Sequence, residues 1–135
     1  MRYPVVLHTD DGKSYGVTVP DVAGCCSGGN DIDDALENIK EALDLHFSGL
    51  LEDSEPIPLA TNIRKHQNNP DYAGGTWAYI DFDITPYLGA QVRFNASLPE
   101  GLLKRIDAAV EENKDRYRTR SNFLKEAALH ELEKA

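Results

Sequence analysis

The sequence has few cysteines, no long hydrophobic run and little positive charge in its N-terminal two-thirds. Its 2 cysteines, Cys25 and Cys26, are adjacent. A disulfide between neighbours would be strained, and the flanking residues offer no metal-ligand spacing, so both are expected to be reduced structural thiols. No segment approaches the ~20 apolar residues of a transmembrane helix, and no signal-peptide pattern opens the chain. We therefore expect a soluble, cytoplasmic protein with no membrane partner.

The charge is distributed unevenly along the chain, which carries a net charge of -9. Residues 1–90 contain 5 Lys/Arg against 15 Asp/Glu, a net charge of -10, whereas residues 91–135 contain 9 against 8, a net charge of +1. An acidic region attracts basic partners and repels nucleic acid. This division predicts two small domains with different partners, residues 1–85 and 91–135, joined by a linker at residues 86–90.

Residues 91–98 alternate strictly between apolar and polar side chains, as in a half-buried strand. Pro99 then suits the start of a helix, and Thr119 suits the cap of a second one. A lone strand with two short helices has too small a core to fold alone, whereas two copies can pair their strands antiparallel over four helices. The pattern therefore predicts a homodimer whose assembly is part of folding. The inward positions are Val92, Phe94, Ala96 and Leu98, and the outward ones are Gln91, Arg93, Asn95 and Ser97.

The run VRFNASLPEGLLKRI followed by TRSNFLKEAALHEL resembles the ribbon-helix-helix repressors. The resemblance implies that the paired strands enter the DNA major groove and that outward side chains read base edges. Arg can pair with guanine and Asn with adenine, so Arg93 and Asn95 suit this role, together with Ser97 and, just past the groove, Gln91. The connector at residues 113–118 is long and highly charged for this family.

The start of the second helix is the predicted phosphate contact. Free N–H groups and the positive end of the helix dipole favour an anion there. The residues concerned are Thr119, Arg120 and Ser121.

The N-terminal region predicts a small α+β domain, an antiparallel sheet with one helix across it. Strands are expected at residues 3–9, 15–19, 25–27 and 76–84, and a helix from Ile32 to about Glu52, capped by Asp31. Residues 61–75 are polar and are expected to form a mobile excursion.

The run VPDVAGCCSGGNDIDDALENIKEALDLHFSGLLEDSEPIP, with the later strand WAYIDFDI, resembles a HicB-type antitoxin. The order and spacing of these markers carry the resemblance across nearly the whole chain. It implies a partial RNase H-like N-terminal domain that binds a small basic ribonuclease toxin of the HicA type. It also implies repression of the protein's own operon through operator DNA.

An enzymatic alternative needs a cluster of carboxylates that could hold metal ions. The candidates are Asp10 and Asp11, beside Gly12 in a predicted hairpin turn, and Asp81 and Asp83 on one strand face. A solvated hairpin explains the first pair better, and the four histidines are scattered without metal-ligand spacing. We therefore expect no enzyme, no metal and no cofactor.

Two acidic surfaces compete as the predicted toxin-binding site. A strand with exposed aromatics among carboxylates favours docking, which points to Trp77, Tyr79, Asp81 and Asp83. The helix offers an alternative face through Glu37, Glu41 and Asp44.

The sequence thus predicts a non-enzymatic antitoxin that also represses transcription. The alternative is a stand-alone repressor whose N-terminal domain senses a ligand or forms oligomers, and a metal-dependent nuclease is a third class. The dimer could assemble further into a dimer of dimers.

Overall fold

The computed structural model describes residues 1–133 and divides the chain into two compact units, Met1–Gly89 and a second that begins at Ala90. The first unit contains a four-stranded antiparallel sheet. Its strands are β1 (Arg2–His8), β2 (Tyr15–Thr18), β3 (Cys26–Gly29) and β4 (Thr76–Asp81), in the order β3-β2-β1-β4. The α+β class is confirmed, and β4 forms one edge of the sheet.

The turn between β1 and β2 is the hairpin that the sequence predicts. The Asp11 carboxylate accepts the backbone N–H groups of Lys13 and Ser14 at 2.8 and 2.9 Å, and Gly12 has a φ of +74°. These hydrogen bonds hold the pKa of Asp11 below its usual value. Asp11 therefore has a structural role in the turn.

One long helix, α1 (Ile32–Glu52), packs against β2 and β3. Asp31 caps it by accepting the N–H of Asp34 at 2.7 Å, as predicted. The close approach of β3 to this helix leaves no room at Gly29, where a Cβ atom would collide with the backbone nitrogen of Ala35. The buried stripe of α1 consists of Ala35, Ile39, Leu43 and Phe47.

The core continues beyond β4 into the predicted linker. Residues Thr85–Tyr87 form a 3₁₀ turn, and the Tyr87 ring lies 5.6 Å from that of Phe47 and 5.7 Å from that of Phe82. The Tyr87 hydroxyl also donates to Asp44 on α1 at 2.5 Å. Tyr87 therefore belongs to the first unit, although the sequence pattern of prolines and glycines predicts a linker from residue 86.

The predicted mobile excursion at residues 61–75 is an ordered segment. It contains the short helix α2 (Ile63–His66) and a 3₁₀ turn at Pro70–Tyr72. The Asp21 carboxylate fixes the start of this segment. One of its oxygens accepts the Thr61 N–H at 2.7 Å. The other lies 2.7 Å from the Thr61 hydroxyl and 2.8 Å from Nε2 of His66. The composition of the segment does not reveal this contact, because the carboxylate comes from a distant part of the chain.

The second unit is helical, with α3 (Glu100–Glu112), α4 (Lys114–Tyr117) and α5 (Arg120–Glu133). Pro99 precedes α3, and Thr119 caps α5 by accepting the N–H of Asn122 at 3.1 Å, as predicted. The charged connector contains α4. Within the described part of this unit, only Ile106 is a buried hydrophobic residue.

Residues 91–98 do not form a strand in the single chain. A strand needs a neighbour to accept and donate its ladder hydrogen bonds, and the second unit has no other strand among its described residues. The expected half-burial is also missing here, because Val92 is 84% and Phe94 76% exposed. The ribbon of the predicted module is therefore unpaired in one chain.

Candidate functional site

The predicted DNA-reading side chains all lie in the unpaired segment and are all exposed: Gln91, Arg93, Asn95 and Ser97. An open groove of about 560 Å³ lies between part of this segment and α5. It brings Asn95 together with Arg120 and Ser121 from the helix start. Gln91, Arg93 and Ser97 do not line the groove.

The first turn of α5 has the features of an anion site. Thr119 uses its hydroxyl and carbonyl oxygens to accept the N–H groups of Asn122 and Phe123. The N–H groups of Arg120 and Ser121 have no acceptor among residues 1–133. Because unpaired N–H groups and the helix dipole both favour negative charge, this turn can bind a phosphate.

Asp107, which no sequence pattern indicates as a site residue, binds the side chain of Arg120. Nε of Arg120 donates to Oδ1 and Nη2 donates to Oδ2, each at 2.9 Å. These hydrogen bonds lower the pKa of Asp107 and raise that of Arg120. The partners lie 13 residues apart on α3 and α5, so no local spacing rule indicates the pair.

The predicted toxin-binding aromatics are partly used inside the first unit. Trp77 is half-buried, and its ring meets that of Tyr72 edge-on at 5.7 Å. The Tyr79 hydroxyl accepts the backbone N–H of Ile63 at 3.1 Å, and the guanidinium of Arg2 lies 4.2 Å from the centre of the Tyr79 ring. The ordered segment at residues 61–75 thus packs on the aromatic row that the sequence predicts to be exposed.

The carboxylates of the same surface stay exposed. Asp81 pairs in register with Arg2, whose guanidinium lies over the ring of Tyr79 on the same strand. Asp83 accepts the N–H of Thr85 at 3.0 Å and so supports the 3₁₀ turn. The accessible part of the predicted surface is therefore Tyr79 and Asp81 on β4, together with Asp83, which lies beyond the end of the strand.

The outer face of α1 is the other acidic surface. Glu37, Glu41 and Asp44 are exposed, with Glu37 3.7 Å from Lys40 and Asp44 bound to Tyr87. Leu45 follows Glu41 by one helical turn and is 76% exposed. An exposed apolar side chain beside a carboxylate is expected of a docking site for a basic protein.

The four carboxylates of the nuclease alternative lie at opposite ends of the sheet. Asp81 faces Arg2 at the start of β1, whereas Asp10 and Asp11 follow the end of that strand. At the rise of an extended strand the two pairs are about 20 Å or more apart. They cannot form a two-metal centre.

Both cysteines are free, with Cys25 buried and Cys26 exposed. Burial raises the pKa of the Cys25 thiol. This agrees with a structural role for Cys25.

The family model for the HicB_like antitoxin of bacterial toxin-antitoxin systems matches residues 3–128. The chain belongs to the HicB-like antitoxin family. Antitoxins of the HicB type are regulators and not enzymes, so the predicted family and the predicted lack of enzymatic activity are confirmed.

Relatives of this HicB-like chain extend over its full length. It is 38% identical over 133 residues to an uncharacterised 14.9 kDa protein in the rep-hol intergenic region of Haemophilus phage HP1, covering 98% of each chain. The crystal structure of the Burkholderia pseudomallei antitoxin HicB matches with a TM-score of 0.72 and 40% identity, again covering 98% of each. A chain of the HicA3 and HicB3 toxin-antitoxin complex matches 62% of this chain and 99% of its own length, with a TM-score of 0.53 and 24% identity, which shows the fold alone.

Among residues 1–133, no helix combines the length and the apolar character that a membrane span requires.

Proposed function

We propose that this HicB-like antitoxin neutralises a small basic ribonuclease toxin of the HicA type with its first unit and represses its own operon by binding operator DNA as a dimer of its second unit. The family match over residues 3–128 carries the antitoxin role. The family description, an antitoxin of bacterial toxin-antitoxin systems, supports a toxin as the partner, and a toxin of the HicA type is what the sequence resemblance implies.

The exposed apolar surface of the second unit supports a dimer. One chain leaves Val92, Phe94, Leu98, Leu102 and Leu132 exposed and buries only Ile106 among the described residues of this unit. So small a core does not stabilise a domain. A second copy would cover these side chains and supply the missing strand partner, which turns residues 91–98 into a two-stranded ribbon.

The polar side of that ribbon would then read the operator. Arg93 suits guanine, Asn95 suits adenine and Ser97 suits either, with Gln91 at the margin. The free N–H groups of Arg120 and Ser121, after the Thr119 cap, would bind a backbone phosphate and fix the register of the ribbon.

The toxin would bind the first unit, whose residues contribute the net charge of -10. A ribonuclease needs cations to hold the RNA backbone, and a protein that covers those cations is expected to present carboxylates. The strand surface of Trp77, Tyr79, Asp81 and Asp83 is the proposed site. The exposure of Leu45 favours a second candidate, the outer face of α1.

The choice between the two surfaces is tested by the rate constants of toxin binding. Asp81→Lys with Asp83→Lys should slow association if the strand surface binds, because long-range attraction sets that rate. Glu37→Lys with Glu41→Lys is the matched reversal on α1, and Leu45→Ala should speed dissociation if α1 binds. If toxin association slows only when the charges on α1 are reversed, the strand surface is not the binding site.

The two proposed functions, toxin neutralisation and operator binding, are tested with the full chain and the protein encoded by the neighbouring reading frame. Co-purification of a small basic protein and loss of its RNA cleavage are the expected results. A chain that binds the DNA upstream of its gene but no such protein would instead be the stand-alone repressor.

A further inference from the structure

The pair between Arg120 and Asp107 is a two-point contact, and its geometry leaves part of the guanidinium unused. Asp107 occupies the edge formed by Nε and Nη2, each at 2.9 Å from a carboxylate oxygen. Arginine carries further N–H groups on its Nη atoms, in a fixed plane with the first two. Those groups are directed away from the carboxylate and can meet a second acceptor.

The unused edge is accessible and lies beside the proposed DNA contacts. The side chains of Arg120 and Asp107 are 52% and 48% exposed. Arg120 lines the same groove as Asn95 and Ser121. Its backbone N–H is also one of the two unpaired groups at the start of α5. A phosphate at this turn would therefore meet the guanidinium and the helix start together.

We propose that Asp107 is a positioning residue for DNA binding, which holds Arg120 in the orientation that presents its Nη groups to a backbone phosphate. The inference rests on the DNA binding proposed above. Arginine has many rotamers, and restricting them before binding lowers the entropy lost in the complex. Asp107 would thus strengthen binding to DNA although it carries a negative charge.

The sign of the effect distinguishes positioning from simple electrostatics. If Asp107 acted only through its charge, removing it would tighten binding to the polyanion. If it positions Arg120, removing it weakens binding. Glu111 is a matched control, because it lies one turn further along α3 and pairs with Lys114 at 3.0 Å.

The experiment measures binding of the full chain to a duplex carrying the DNA directly upstream of its gene. It compares Asp107→Ala, Arg120→Ala, the double variant and Glu111→Ala, after circular dichroism and sedimentation have shown that each is folded and dimeric. Asp107→Ala should weaken binding about tenfold, because two arginines per dimer regain their freedom. It should not weaken binding further when Arg120→Ala is present, because only the charge effect then remains.

The dependence of binding on salt gives a second readout, which separates the loss of a phosphate contact from the loss of positioning. Arg120→Ala should lower the salt slope by about one for each phosphate that the protein no longer neutralises, whereas Asp107→Ala should leave the slope almost unchanged. Asp107→Asn keeps one acceptor oxygen and should restore part of the affinity. It also provides the test if Asp107→Ala does not fold.

Tighter or unchanged binding by Asp107→Ala, or a loss that persists in the Arg120→Ala background, would overturn the positioning role. If the unmodified chain does not bind the upstream duplex, the proposed repressor function fails and the inference fails with it. If the unmodified chain binds and only the Asp107 results disagree, the inference alone is wrong.

Discussion

Arg93 is the single side chain that tests the proposed reading of DNA most directly. A bidentate arginine–guanine contact contributes about 1–3 kcal/mol of discrimination, so Arg93→Ala should lose that much specific binding to the operator. The measurement is the dissociation constant for operator and for unrelated DNA. Arg105→Ala, an exposed arginine on α3, is the control for charge alone. Equal effects of the two changes on operator preference would contradict base reading by Arg93.

Tyr87 makes the stability of the first unit dependent on pH in the alkaline range. Burial, followed by its hydrogen bond to the Asp44 carboxylate, raises the pKa of Tyr87 to about 12. An unfolded tyrosine has a pKa of about 10, so the folded unit holds the proton more tightly. The stabilisation is therefore complete below about pH 10 and is lost as the pH rises through about 12.

The expected result is a urea midpoint that falls between about pH 10 and 12 in the unmodified chain and falls less in Tyr87→Phe. Tyrosinate absorbance should show one fewer late-titrating tyrosine in the variant than in the unmodified chain. Identical pH profiles for both proteins would mean that folding does not raise the pKa of Tyr87.

Among the elements, the segment at residues 61–75 depends on one carboxylate. The Asp21 side chain is only 5% exposed and contacts both Thr61 and His66. Asp21→Ala should destabilise the first unit by about 1–3 kcal/mol, because the Thr61 N–H loses its acceptor. Hydrogen exchange should accelerate across residues 61–75, which is the direct measurement. Asp71→Ala, an exposed aspartate on the same segment, is the control, and equal exchange in both variants would contradict the role of Asp21.

The helix α1 could be predicted from the sequence because its determinants are local. A cap at Asp31 and a buried residue at every fourth position, from Ala35 to Phe47, fix both its start and its inner face. The hairpin at Asp11 and Gly12 and the cap at Thr119 are local in the same way.

The contacts that the sequence does not reveal join distant segments. Three such contacts depend on how two segments pack together: the ring contact of Tyr72 with Trp77, the ring contact of Tyr87 with Phe47, and the ion pair of Asp107 with Arg120. The exposure of the predicted toxin-binding row was therefore overestimated. The strand predicted at residues 91–98 does not form in one chain. This agrees with the proposal that its hydrogen-bonding partner is the same segment of a second copy.

For the chain as a whole, the proposed dimer should disappear when a charge replaces the central apolar side chain of the ribbon. Phe94→Asp would bury an unpaired carboxylate at the strand pair, at a cost of several kcal/mol. Sedimentation should then show a monomer with a disordered second unit. Asn95→Asp adds the same charge on the outward side and should keep the dimer. A folded monomer that still binds DNA at micromolar concentration would contradict obligate pairing.

The unpaired segment also has a consequence for the lifetime of the protein. Residues 88–99 are all exposed in one chain and form no helix or strand, and backbone of this kind is the preferred substrate of proteases. Pairing would protect it, so the rate of degradation should fall as the concentration rises. Trypsin should cut a dilute sample first at Arg93 and release the first unit intact. Each cut would abolish the proposed DNA binding of that chain and leave intact the first unit, which is proposed to bind the toxin.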